Sequence, residues 1–115
     1  MFKNPKERFS LEEINPDLFK QVVRSLRMVF DPELPVNVYD LGLIYKLEID
    51  EDSRVYVQVT LTAPNCPEAE FIPGKIAGAV QATEGVSSVD IELVFEPPWT
   101  RDNMSTAALL ALGLI

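Results

Sequence analysis

The sequence predicts an α+β fold: a single compact α/β sandwich in the order α-β-β-α-β-α, with a small mixed sheet and helices mainly on one face. Three observations predict it. Apolar residues recur at three- and four-residue steps from Leu18 to Phe30, as one face of a helix requires. Two alternating runs, residues 43–49 and 55–61, flank the polar turn Asp50-Glu51-Asp52-Ser53 and read as a hairpin. A third alternating run, Val89, Ile91, Leu93 and Phe95, follows a helical stretch, so it returns to the sheet after a crossover.

Residues 1–15 are polar and charged and contain Pro5, so they read as a flexible N-terminal arm, with one domain over residues 16–115. Asn15-Pro16-Asp17 looks like a helix start, with Asn15 as cap and Pro16 at the first position. Leu18, Phe19, Val22, Val23, Leu26, Val29 and Phe30 form its apolar face, and Pro32 is expected to stop it. The following DPELPVNVYDLG holds two prolines and a glycine and reads as a loop. In the hairpin, Leu43, Tyr45, Leu47 and Ile49 are expected on one face of the first strand. Val55, Val57, Val59 and Leu61 are their counterparts on the second, leaving Tyr56, Gln58, Thr60 and Thr62 on a wetter side. A second helix is expected over residues 67–83, stopped at Gly85, with Pro73-Gly74 kinking it or delaying its start. The third strand ends at Pro97-Pro98, and a last helix is expected from Thr100 to Leu112, stopped by Gly113.

Composition excludes several classes of function. The 115 residues suffice for one ordinary domain, and 47% hydrophobic residues can supply its core. A formal net charge of −8 argues against nucleic acid and against anionic membrane surfaces as partners. The N-terminal MFKNPKERFS lacks an apolar signal core, and the longest apolar run, residues 107–115, is too short to span a membrane. One cysteine suggests a reducing compartment, so a cytoplasmic setting is expected. The chain has no histidine, which removes Cys–His catalysis, and its five scattered glycines form no phosphate loop. No enzymatic activity is expected.

That leaves Cys66, in the turn LTAPNCPEAE between the second strand and the second helix. Placed before Pro67 at a helix start, its thiolate would be favoured by the helix dipole and free N–H groups. Nearby carboxylates would oppose ionisation. One cysteine cannot complete a zinc or iron–sulfur site, so it could serve only in a site shared with another subunit, a partner or a small thiol. The competing reading is a buried, inert thiol. Asp31, Glu33 and Asp40 read either as turn chemistry or as site carboxylates, and Trp99 as a core or lid aromatic or a partner anchor. The uncharged tail STAALLALGLI reads as a packing helix or an exposed partner surface.

Taken together, DPELPVNVYDLGLI, TLTAPNCP and PPWTRDNMS…LGLI resemble the SufT-like family of iron–sulfur assembly proteins, over residues 18–115. Its relatives include the eukaryotic cytosolic iron–sulfur targeting component and the phenylacetate-degradation maturation proteins. The resemblance implies a fold similar to cluster-assembly scaffold domains and a role as an iron–sulfur cluster assembly or maturation factor. In that role Cys66 would be the reactive thiol and shared cluster ligand. The family's DPE signature falls on Asp31, Pro32 and Glu33, its next acidic position on Asp40, and its strand threonines on Thr60 and Thr62. Its Trp-Thr motif falls on Trp99 and Thr100, with Asp102 following. A pocket of Asp31, Glu33, Asp40, Thr60, Thr62, Asn65 and Trp99 beside Cys66 is the expectation. No stable cofactor is expected, only a transient iron–sulfur cluster or iron. The partners implied are iron–sulfur assembly proteins, client apoproteins and a second copy of the chain. The alternative is an adaptor that docks such proteins, with Cys66 structural. Two departures stand out. The cysteine-rich C-terminal region of the phenylacetate subgroup is not among these residues, and residues 106–115 lack the charges usual in the family's last helix.

Overall fold

The computed structural model describes residues 15–31, 34–62 and 71–115. Its elements follow the predicted order. Helix α1 spans Pro16–Leu26, β1 Ile44–Ile49, β2 Arg54–Val59, α2 Phe71–Gln81, β3 Ser88–Leu93 and α3 Thr106–Ala111. The three strands form one sheet in the order β1-β2-β3, with β1 antiparallel and β3 parallel to the central β2.

Register assigns the two faces. Leu47, Val57 and Ile91 share one row, and Ile49, Val55 and Val89 another, so this face is apolar. It joins Leu18, Val22 and Leu26 of α1 and Ile72, Ile76 and Val80 of α2 in the core. The opposite face carries the rows Lys46, Gln58, Glu92 and Glu48, Tyr56, Asp90. A helix hides only one stripe, so two helices laid on one face leave the other to polar side chains.

Helix α1 begins as its sequence dictates: Asn15 Oδ1 accepts the Leu18 N–H at 3.2 Å, and Pro16 takes the first turn. It ends at Leu26, earlier than the expected stop at Pro32. Beyond it the chain extends, and Phe30 pairs with Asn37 in an isolated bridge, which leaves Phe30 exposed rather than on the helix's apolar face. Helix α2 is described from Phe71, so Pro73 lies in its first described turn, where a missing N–H is tolerated. Gly85 (φ +99) and Gly113 (φ +72) are the left-handed stops predicted.

Two further expectations are corrected. The alternation of Leu43, Tyr45, Leu47 and Ile49 is interrupted, because the register slips between Ile44 and Lys46. The extra residue lets Ile44 and Leu47 both pack on the core and leaves Tyr45 off it, its hydroxyl donating to the Pro97 carbonyl at 2.7 Å. The expected helix from Thr100 to Leu112 is two pieces: a 3₁₀ turn at Arg101–Asn103, then α3. Met104 is extended (ψ 144), and Ser105 starts afresh as a cap, its Oγ accepting the Ala108 N–H at 3.1 Å. Likewise β3 stops at Leu93, so Phe95 lies beyond it and is exposed.

Candidate functional site

Because β3 runs parallel to β2 and β1 runs against it, one edge of the sheet holds the ends of β2 and β3 and the start of β1. Loops gather there, as they do outside the carboxyl ends of parallel strands. A ladder of backbone bonds builds this end. Thr60 N–H donates to the Leu43 carbonyl at 2.8 Å, Leu43 to Val38 at 3.2 Å, and Val38 to Val29 at 2.8 Å. The described chain stops at Thr62, just past the end of β2, and resumes at Phe71, the first residue of α2. Cys66 and Asn65 lie outside the described residues, and so does Glu33.

Asp31, Asp40 and Trp99, among the expected pocket residues that are described, are bonded to the scaffold. Asp31 is buried, and its Oδ1 accepts the Leu34 N–H at 3.2 Å while its own N–H donates to the Val36 carbonyl at 3.2 Å. That is the turn chemistry open to an aspartate before proline. Asp40 uses both carboxylate oxygens: Oδ2 accepts Asn37 Nδ2 at 2.8 Å, and Oδ1 accepts the Ser105 hydroxyl at 3.0 Å. Its backbone adds two bonds, with Asp40 N–H donating to Asn37 Oδ1 and the Asp40 carbonyl accepting Ser105 N–H, each at 2.8 Å. Trp99 is half-buried against the core and its Nε1 donates to the Leu41 carbonyl at 2.7 Å. Between these ties sits Gly42 at φ +80, so close to the C-terminal segment that a Cβ there would lie 2.2 Å from the Asn103 carbonyl oxygen.

Asp40 and Trp99 therefore clamp the 37–43 loop to residues 99–105. Asn37 and Ser105 complete that clamp and were not singled out from sequence. Asn37-x-x-Asp40 is a turn spacing that could have flagged the first, whereas nothing local flags the second. Thr60 and Thr62, separated by Leu61, lie just past the end of β2. Thr60 is almost fully buried, and its hydroxyl has no hydrogen-bond partner among the described residues. A buried hydroxyl without a partner costs about 1–3 kcal/mol, and Thr60 stands six residues before Cys66 in the sequence. Among the described residues no cluster of three or more His, Cys, Asp or Glu could hold a metal ion. Nor is any described helix long and apolar enough to cross a membrane.

On the polar sheet face a shallow cavity of about 510 Å³ is lined by Tyr45, Lys46, Gln58, Glu96, Pro97 and Asn103. Next to it the Tyr56 hydroxyl donates to Glu92 Oε1, and Gln58 Nε2 donates to the Tyr56 oxygen at 3.2 Å. Burial, then the bond to the Glu92 carboxylate, pushes the Tyr56 phenol up to about 12. The Tyr56 and Gln58 donors in turn hold Glu92 below the usual carboxylate range.

Comparison with known proteins gives a consistent picture. The family model described as iron-sulfur cluster assembly protein matches residues 20–93. A Porphyromonas gingivalis protein named Fe-S protein maturation auxiliary factor is 52% identical over 84% of this chain and 91% of its own length. The Staphylococcus aureus Fe-S protein maturation auxiliary factor SufT is 36% identical over 76% of this chain and 99% of its own. Among solved structures, a Bacillus anthracis domain of unknown function, DUF59, superposes with a TM-score of 0.80 at 30% identity, covering 93% of this chain and 98% of that one.

Proposed function

This chain belongs to the iron–sulfur cluster assembly protein family, and on that premise we propose that it is a cytoplasmic, non-enzymatic maturation factor for which the cluster is cargo. Cys66 acts as one ligand or transfer contact in a site that a second chain completes. The observation that supports this reading is the family match over residues 20–93, within which Cys66 falls in sequence between Thr62, just past the end of β2, and Phe71, the first residue of α2. A cluster usually takes four thiolates and this chain has one cysteine, so an assembly protein, a client apoprotein, a second copy or a small thiol supplies the others. Transient holding follows from that chemistry, because a single bond from one side is readily exchanged.

Within this reading Asp40 and Trp99 act through the scaffold, since their polar atoms are engaged in the clamp. Thr60 and Thr62 precede Cys66 by six and four residues, and with Asp31, Glu33 and Asn65 they complete the proposed pocket. A second reading has support of its own. Met28, Phe30 and Phe71 are 73%, 51% and 49% exposed. They flank Val29 and the head of α2, where an adaptor could dock clients through apolar contact with Cys66 merely structural.

Anaerobic incubation with ferrous iron and sulfide, followed by visible absorption, tests both. The wild-type chain is expected to gain cluster absorption, with or without an added thiol, and Cys66→Ser to lose it. Full absorption in Cys66→Ser would overturn the assignment of Cys66 as ligand. No absorption in either protein, with client binding intact in both, would establish the adaptor.

A further inference from the structure

The two edges of the sheet are finished differently. Among the described residues the order β1-β2-β3 leaves the outer side of β1 and the outer side of β3 without a strand neighbour. On β1 the register slips between Ile44 and Lys46, and bulges and lysines both discourage a further strand. On β3 neither is present. Ser88 to Leu93 pairs with β2 residue for residue, and the run Ser-Val-Asp-Ile-Glu-Leu holds no proline, glycine or lysine.

Backbone direction shows what this edge offers. Val94 N–H donates inward to the Val59 carbonyl at 2.9 Å. Successive residues of a strand turn their N–H and C=O groups to opposite sides. Glu92 and Asp90 therefore also face β2, and Leu93, Ile91 and Val89 face outward. Among the described residues no loop or turn bond engages those three. Side chains alternate with the same period. Val89, Ile91 and Leu93 pack partly buried against the core, whereas Ser88, Asp90 and Glu92 are exposed on the polar face.

Charge narrows what can be added. From residue 76 to residue 100 the chain has Glu84, Asp90, Glu92 and Glu96 and no lysine or arginine. The polar face's cations stand on the other strands, Lys46 on β1 and Arg54 on β2, the latter bonded to Asp50. A second copy pairing β3 with β3 would set carboxylates opposite carboxylates, which is destabilising. A strand with basic residues on the polar side and apolar ones on the core side meets every demand at once. It pairs the outward backbone groups, covers Val89, Ile91 and Leu93, and offsets the charge.

We propose that the open edge of β3 adds a strand from a partner protein, an extended segment in which basic residues alternate with apolar ones. The inference requires neither Cys66 nor a cluster.

A capped peptide of about eight residues alternating lysine and valine serves as the probe, titrated into the nitrogen-15-labelled full chain. Binding is expected to shift the amides of Val89, Ile91 and Leu93 and to slow their hydrogen exchange, while the amides of α1 stay in place. The same peptide N-methylated at every residue, and one with glutamate for lysine, should produce neither change. Asp90→Lys alters one exposed side chain and should weaken the lysine–valine peptide about fivefold. Equal binding of the glutamate peptide, or unaltered binding in Asp90→Lys, would overturn the proposal, as would no shift at millimolar peptide. So would outward amides already protected in the free chain, since another part of the chain or a second copy would then hold the edge.

Discussion

The two ends of the sheet are built on opposite principles. At the hairpin end the turn largely organises itself: Asp50 Oδ1 accepts the N–H groups of Asp52 at 2.9 Å and Arg54 at 3.0 Å, Oδ2 accepts Arg54 Nε at 2.7 Å, and one distant side-chain bond, from Ser87 Oγ to the Asp52 carbonyl at 2.7 Å, joins them. At the other end the side-chain bonds join residues far apart in sequence, Asp40 with Ser105, Trp99 with Leu41, and Tyr45 with Pro97. Local bonds form at small entropic cost and hold little else in place. Distant bonds order whole loops, and sites tend to be carried on loops held in this way. Thr60 and Thr62, which precede the Cys66 segment in sequence, follow β2 at the second end.

Three substitutions would break or sharpen that contrast. The largest effect is expected for Gly42→Ala. A Cβ there would overlap the Asn103 backbone and force an alanine to φ +80, at a cost of about 3 kcal/mol or more. Chemical denaturation should show the loss, and a change within about 0.5 kcal/mol would mean that the 99–105 segment is not held against this loop. Next is Asp40→Ala, which strips partners from Asn37 and Ser105 and should cost about 2 kcal/mol. Hydrogen exchange in this variant should quicken across residues 37–43 and 105–112 together. Quickening in only one of the two segments would contradict the clamp.

The smallest effect belongs to Asp50→Ala at the hairpin end, less than about 1 kcal/mol for so exposed a pair. Burial opposes ionisation of Asp50, but the Arg54 N–H, the Arg54 side chain and the Asp52 N–H outweigh it, so its carboxyl sits below the ordinary value of 3.8. A group depressed on folding adds stability above its unfolded pKa, and that stability is lost as pH falls through the folded value. Wild type and Asp50→Ala should therefore converge in stability on acidification below about pH 4. A gap that persists at low pH would show that the turn depends on the shape of Asp50 rather than on its charge.

The sheet, its helices and the hairpin could be read from the chain because each announces itself within a few residues. Asn15-Pro16 caps α1, the valines of β2 alternate, and Gly85 and Gly113 take the left-handed stops they suggest. Where a distant contact competed, the local reading failed. Tyr45 left its alternation to reach Pro97, Phe30 left its helix to pair with Asn37, and the last helix broke where Ser105 meets Asp40. The same limit applies to the candidate site. Sequence picked out Asp31, Asp40, Thr60 and Trp99 as residues worth placing. It could not assign Asp40 and Trp99 to a clamp, because Ser105 and Leu41 lie 65 and 58 residues away from them. By itself the sequence determined the order of helices and strands, the apolar faces of α1 and β2, and the family to which the chain is similar. Only the tertiary structure decided which polar side chains serve the scaffold and which buried hydroxyl is left without a partner, because a hydrogen bond depends on what the fold brings within 3 Å, and local periodicity carries no record of that.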